Sequence, residues 1–142
     1  MAEQIVQSST PLECVLGFVR TMEAGGGREE ISPYLSDDFT LTEAPHVLAP
    51  EGSTRTREQV LAGADQSRQV VANQRFDVRR STSEGGRVVL EVDWSATSQM
   101  DLRYWNSGEI IRARTTAVFE VRDGRIISQD SYDCYFIEDQ VL

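Results

Sequence analysis

Glu43, His46, Asp130 and Tyr132 are the residues of this sequence whose types and positions suit proton handling at a sheltered site. Glu43 ends the alternating run Phe39-Thr40-Leu41-Thr42-Glu43, and a period of two puts it on the face of Phe39 and Leu41, toward a core. A carboxylate stripped of water there becomes a better base. The alternative is a place at the strand mouth, solvated or paired with an arginine. His46 follows in the next loop. Histidine titrates nearest neutrality, so it suits a proton relay or a donor to a substrate oxygen; the plainer alternative is a surface residue. Asp130 and Tyr132 share one face of the last predicted strand, with Asp130 suited to orienting or deprotonating water and Tyr132 to donating a hydrogen bond. Ser131 and Asp133 occupy the other face, and a slip of one residue exchanges the two sets.

Five apolar residues are the candidate walls of a substrate pocket: Phe18, Met22, Trp94, Trp105 and Phe119. The alternative for these is core packing, and for the two tryptophans also dimer contacts. Arg112 and Arg114 lie opposite the apolar residues of their strand and read as outer-face partners of acids.

Other chemistries are excluded by composition. All 14 basic residues are arginine, which rules out lysine nucleophiles and Schiff bases. One histidine cannot build a multi-histidine metal centre, leaving a carboxylate-only site as a formal alternative. No glycine-rich phosphate loop or nucleophile elbow is present. No metal or cofactor is therefore expected. A net charge of −9 argues against nucleic acid as a partner. No apolar run approaches the roughly 20 residues that span a bilayer, and the opening MAEQIVQSSTP lacks the pattern of a secretory signal. The expected setting is cytoplasmic, away from membranes. Cys14 and Cys134 read as small buried hydrophobes in a reducing compartment, with a disulfide as the lesser alternative.

The elements that must position these groups follow from periodicity and punctuation. The chain of 142 residues is one domain in size, with a loose tail over 1–9 and a single domain over 10–142. Thr10, Pro11 and Glu13 form a helix start with a capping box, and Leu12, Val15, Leu16, Val19 and Met22 follow at helical spacing. Gly25-Gly26-Gly27 ends that helix, and a short helical piece over 28–35 follows, weakened by Pro33. A strand over 39–43, a proline-bounded loop, and a helix opened by the Thr56–Gln59 capping box come next. Strands are predicted over 74–83, 87–97, 109–122 and 125–137. Asp123-Gly124 is a two-residue hairpin signal between the last two. Helices first and strands later imply an α+β fold, with a curved antiparallel sheet packed on the N-terminal helices and enclosing a pocket.

Three stretches carry a family resemblance: Leu35 to Pro45 (LSDDFTLTEAP), Phe119 to Asp133 (FEVRDGRIISQDSYD) and the helix opening at Pro11. With the order of elements, they make residues 10 to 137 resemble the nuclear transport factor 2 superfamily, and within it the SnoaL-like polyketide cyclases and ketosteroid isomerases. The resemblance implies a cone-shaped fold around a pocket, with dimers often formed through the outer sheet face. In the ketosteroid-isomerase pattern an acid five places after the second Asp of an Asp-Asp pair is the general base; counting from Asp38 gives Glu43. Phe18 stands where that pattern has an oxyanion-stabilising Tyr, and Thr115, Thr116 or Ala117 where it has a second acid. The end Asp130-Ser131-Tyr132-Asp133 resembles that of limonene-epoxide-hydrolase-like members, whose first Asp there belongs to an Asp-Arg-Asp group that activates water. Glu91 replaces the Arg of that group, and the apolar alternation of Val88, Leu90, Val92 and Trp94 turns Asp93 away.

These readings converge on a cofactor-independent enzyme. It would act on a small hydrophobic, oxygenated metabolite by acid–base proton transfer, of isomerase, cyclase, dehydratase or epoxide-hydrolase type. The competing reading is a non-catalytic binding or dimerisation module of the same fold, since fold alone does not fix activity. The expected partners are a small hydrophobic ligand or substrate and a second copy of the chain.

Overall fold

The computed structural model describes residues 9–137, so all of the expected tail except Ser9 lies outside the described residues. Helix α1 (Pro11–Glu23) begins as its sequence dictates. Thr10 Oγ1 accepts the Glu13 N–H at 3.1 Å, and Glu13 returns the bond to the Thr10 N–H at 2.9 Å. The helix ends where Gly25 takes φ +83°, a left-handed conformation that costs glycine little. The short helical piece divides: α2 (Arg28–Ile31) is one α turn, and Ser32–Tyr34, containing Pro33, tightens to a 3₁₀ turn.

Strand β1 (Leu35–Glu43) starts four residues earlier than its alternation suggests. A short strand β2 (Ser53–Thr56), which sequence periodicity did not single out, runs into helix α3 (Arg57–Val70) through the Thr56–Gln59 capping box. Strands β3 (Val71–Glu84), β4 (Arg87–Ser98), β5 (Ile110–Arg122) and β6 (Arg125–Tyr135) then form an antiparallel meander. Asp123 and Gly124, at φ +53° and +75°, make the β5–β6 hairpin.

The six strands lie in the order β2-β1-β6-β5-β4-β3. One pairing departs from an all-antiparallel expectation: β1 runs parallel to β6, placing Thr42 beside Asp130 and Glu43 beside Ser131. Helix α3 and strands β2 to β5 lie between β1 and β6 in the chain and supply the long connection that a parallel pair needs. The sheet curves around α1, and the core lies between them. Phe18 packs edge-on against Phe119, with Leu35, Phe39, Leu90 and Ile126 around the pair. Strand β4 faces Val88, Leu90 and Val92 inward. Glu91 and Asp93 point outward, to Arg80 and to Arg79 and Arg114 respectively. Among the described residues no helix is long and apolar enough to cross a membrane.

The two cysteines separate in environment. Cys14 is buried, with its thiol donating to the Gly124 carbonyl at 3.4 Å, whereas Cys134 is exposed on β6, contrary to the buried place expected of it.

Candidate functional site

Between α1 and the concave sheet face is a cavity of about 200 Å³. Leu90, Val92, Trp94, Ala117 and Phe119 make it largely apolar, and Glu43, Asp133 and Tyr135 add ionisable groups to its lining. Each reaches it by strand alternation. Phe39, Leu41 and Glu43 share the inner face of β1, while Thr40 and Thr42 are exposed. On β6 the inner set is Gln129, Ser131, Asp133 and Tyr135.

Asp130 and Tyr132 therefore lie on the opposite face, both exposed, Tyr132 to 51%. A β-bulge causes the swap. Ile126 is buried and pairs with Val121, but Ser128 pairs with Glu120, so β6 carries one extra residue at Ile127. An extra residue reverses which face the following side chains occupy. An unbroken count inward from Ile126 reaches Asp130 and Tyr132; the bulge delivers Asp133 and Tyr135 instead. Asp133 appeared in the sequence reading as the product of such a slip. Tyr135 was missed, although its spacing of two from Asp133 marks it as a companion.

Glu43 is held on three sides. Its Oε1 accepts from the Ser53 hydroxyl at 2.7 Å and from Arg55 at 2.6 Å, both carried by β2. Its Oε2 lies 3.4 Å from His46 Nε2, and the two side chains retain only 14% and 6% exposure. That contact is close enough for electrostatic attraction but lacks hydrogen-bond geometry, so His46 Nε2 is buried without a true hydrogen-bond partner. On the other side of the ring, His46 Nδ1 accepts the Leu48 N–H at 3.2 Å. A nitrogen that accepts carries no proton, so the neutral ring holds its proton on Nε2, on the side of Glu43.

Asp133 completes the group. Burial raises its carboxyl above the usual range, and the neighbouring Glu43 adds to the rise; a hydrogen bond from its cross-strand partner Thr115 and the electrostatic influence of His46 oppose it. Two carboxylates in one poorly solvated site resist ionising together, which suits one of them to exchanging a proton. The Tyr135 ring is clasped by His46, Trp94 and Trp105, at centroid distances of 5.4, 6.3 and 5.8 Å. Burial pushes its phenol well above the ordinary range, with Asp133 and Glu43 adding to the effect, so it stays a hydroxyl.

One carboxylate oxygen each from Glu43 and Asp133 and one nitrogen of His46 lie within 4.8 Å of one another, a spacing that also invites a divalent cation. The tautomer opposes it. A ligating histidine offers a lone pair to the metal and donates from its other nitrogen, whereas here the Leu48 N–H occupies the lone pair of Nδ1 and leaves the proton on Nε2.

The expected pocket residues divide. Met22, Trp94 and Phe119 line the cavity, and the Trp94 indole N–H donates to Gln74 at 3.1 Å. Phe18 is core, bordering a second, outer groove, and Trp105 is buried behind Tyr135.

The model of the SnoaL-like domain matches residues 15–129, most of the chain. The chain belongs to the SnoaL-like domain family. No curated protein matches it in sequence. Among solved structures it is similar to IdmH from Streptomyces antibioticus, a candidate polyketide cyclase, at 18% identity and a TM-score of 0.72, over 88% of this chain and 92% of that one. A candidate polyketide cyclase from Acidithiobacillus ferrooxidans is 22% identical over 89% of both chains, also with a TM-score of 0.72. AclR from Streptomyces galilaeus, a candidate hydroxylase, has the same TM-score at 13% identity, over 89% of this chain and 80% of that one. At such identities the likeness is one of fold, and this SnoaL-like domain has the cone architecture of the wider cyclase and isomerase superfamily.

Proposed function

We propose that this SnoaL-like protein is a cofactor-independent acid–base catalyst acting on a small, mainly apolar molecule that carries a carbonyl-type oxygen. Asp133 takes a proton from the carbon next to the carbonyl, the C–H electron pair moves onto the oxygen, and the Tyr135 hydroxyl donates to that oxygen as charge develops. Asp133 then returns the proton at the same carbon or a conjugated one. Glu43, fixed by Ser53 and Arg55, orients His46 and adds to the field that keeps Asp133 basic. The observation that carries this reading is the convergence of Glu43 and Asp133 at the wall of a mainly apolar cavity, with His46 within 4.8 Å of both. Tyr135 stands there in the role that the helix tyrosine plays in the isomerase pattern, where this chain has Phe18.

Deuterium exchange at the α-carbon of a simple cyclic ketone, 1-indanone in D₂O followed by NMR, tests the proposal. The protein should accelerate exchange saturably, and Tyr135→Phe should slow it by about 10²-fold or more, the usual cost of one lost oxyanion donor. Saturable binding of the ketone with exchange no faster than in buffer would assign the cavity to a binding module instead.

A further inference from the structure

A second cavity of about 510 Å³ lies between the C-terminal end of α1, helix α3 and the start of β3. It shares Met22 with the inner cavity. Two side-chain pairs also cross the boundary. Arg55 of the outer cavity bonds Glu43 of the inner one at 2.6 Å, and Gln74 of the outer accepts from Trp94 of the inner at 3.1 Å. Side chains thus link the two linings, and the residue they share is a flexible thioether that repacks at low cost.

The outer cavity has a chemistry of its own. Val60, Ala64 and Val71 make an apolar floor, while Arg55, Arg68, Gln74 and Gln99 stand at its polar edge. Its one acid, Glu23, is already engaged by the Phe76 N–H and by Arg20. Two guanidiniums and three amides, Asn73 being the third, around an apolar floor suit the oxygen-bearing end of an apolar molecule.

We infer that the two cavities form one elongated binding site with Met22 as its movable divider. The true substrate is then longer than the inner chamber: its reacting carbonyl end lies at Asp133 and Tyr135, and an oxygenated far end lies between α1 and α3. This inference rests on the reading of the inner cavity as the reactive chamber.

Gly63 provides the test. It sits on α3 at the outer cavity, and a Cβ built there would meet only Arg55 Nη1, at 4.0 Å. Gly63→Leu therefore fills the outer chamber, and in a helix interior it replaces the poorer helix former. The probes are phenyl alkyl ketones from acetophenone to octanophenone, with dissociation constants read from quenching of tryptophan fluorescence. In the wild type, affinity should rise with chain length by up to about fourfold for each methylene that becomes buried. Gly63→Leu should cut the octanophenone-to-acetophenone affinity ratio at least tenfold, and Met22→Trp should do the same from the divider. An unchanged ratio in Gly63→Leu, or a wild type indifferent to chain length, would overturn the inference. Neither result depends on α-proton exchange, so failure of the proton-transfer reading is seen separately.

Discussion

Replacing Glu43 by glutamine tests whether its carboxylate organises the site or merely occupies it. The substitution keeps the shape and removes the charge. The amide oxygen can still accept from Ser53 and Arg55, but as a neutral acceptor. Hydrogen bonds to charged groups contribute about 1.5–3 kcal/mol and neutral ones about 1, so the Ser53 bond loses about 1 kcal/mol. The Arg55 pair, with Arg55 44% exposed, contributes about 0–1 kcal/mol. The new NH₂ faces the Nε2 proton of His46, donor against donor in a nearly dry place, which costs about 1–2 kcal/mol. Relief of Asp133 from a neighbouring charge returns about 1 kcal/mol. The net expectation is a loss of about 2 kcal/mol at neutral pH, a urea midpoint lower by about 1 M for an m-value near 2 kcal/mol/M. Urea unfolding followed by circular dichroism measures it. In an Arg55→Met background the same substitution should cost less, because the two changes share a contact. A variant within about 0.5 kcal/mol of wild type, or more stable than it, would refute the assigned network.

Other consequences are as open to measurement. Because burial raises the Asp133 carboxyl, the native state keeps this proton at pH values where the unfolded chain has released it. That contribution to stability is full below the unfolded value and is lost as pH rises through the native one. Asp133→Asn removes the decline, so its urea midpoint should gain on the wild type as pH rises above the ordinary aspartate value of about 4; a constant gap would show that Asp133 is not desolvated. With a thiol reagent at mild alkaline pH, exposed Cys134 should react fast, while Cys14, whose thiol burial pushes up, should react only on unfolding; two fast thiols would contradict the packing of α1.

Much of the fold was legible because local rules were obeyed. Both capping boxes, the Gly25 stop and the Asp123-Gly124 hairpin are where the sequence puts them. Alternation on β1 carried Glu43 to the inner face, and sequence adjacency carried His46 to its side. What escaped depends on long-range pairing. Strand β2 is four polar or charged residues and becomes a strand through pairing with β1. Nothing local announces that β1 and β6 run parallel. The bulge at Ile127 carries no glycine or proline signal, yet it decides which acid faces the cavity: Asp133 with Tyr135, not Asp130 with Tyr132. A site read by period two is only as secure as the register beneath it.

That register makes proton transfer at Asp133 testable in one comparison: the rate of α-deuterium exchange into 1-indanone with wild type, Asp133→Asn and Asp130→Asn side by side. Asp133→Asn should lower the rate by about 10²-fold or more, in the range of a lost general base. Asp130→Asn, on the outer face, should leave it within a factor of two of wild type. Full activity in Asp133→Asn, or its loss in Asp130→Asn, would contradict the assignment of proton transfer to the cavity.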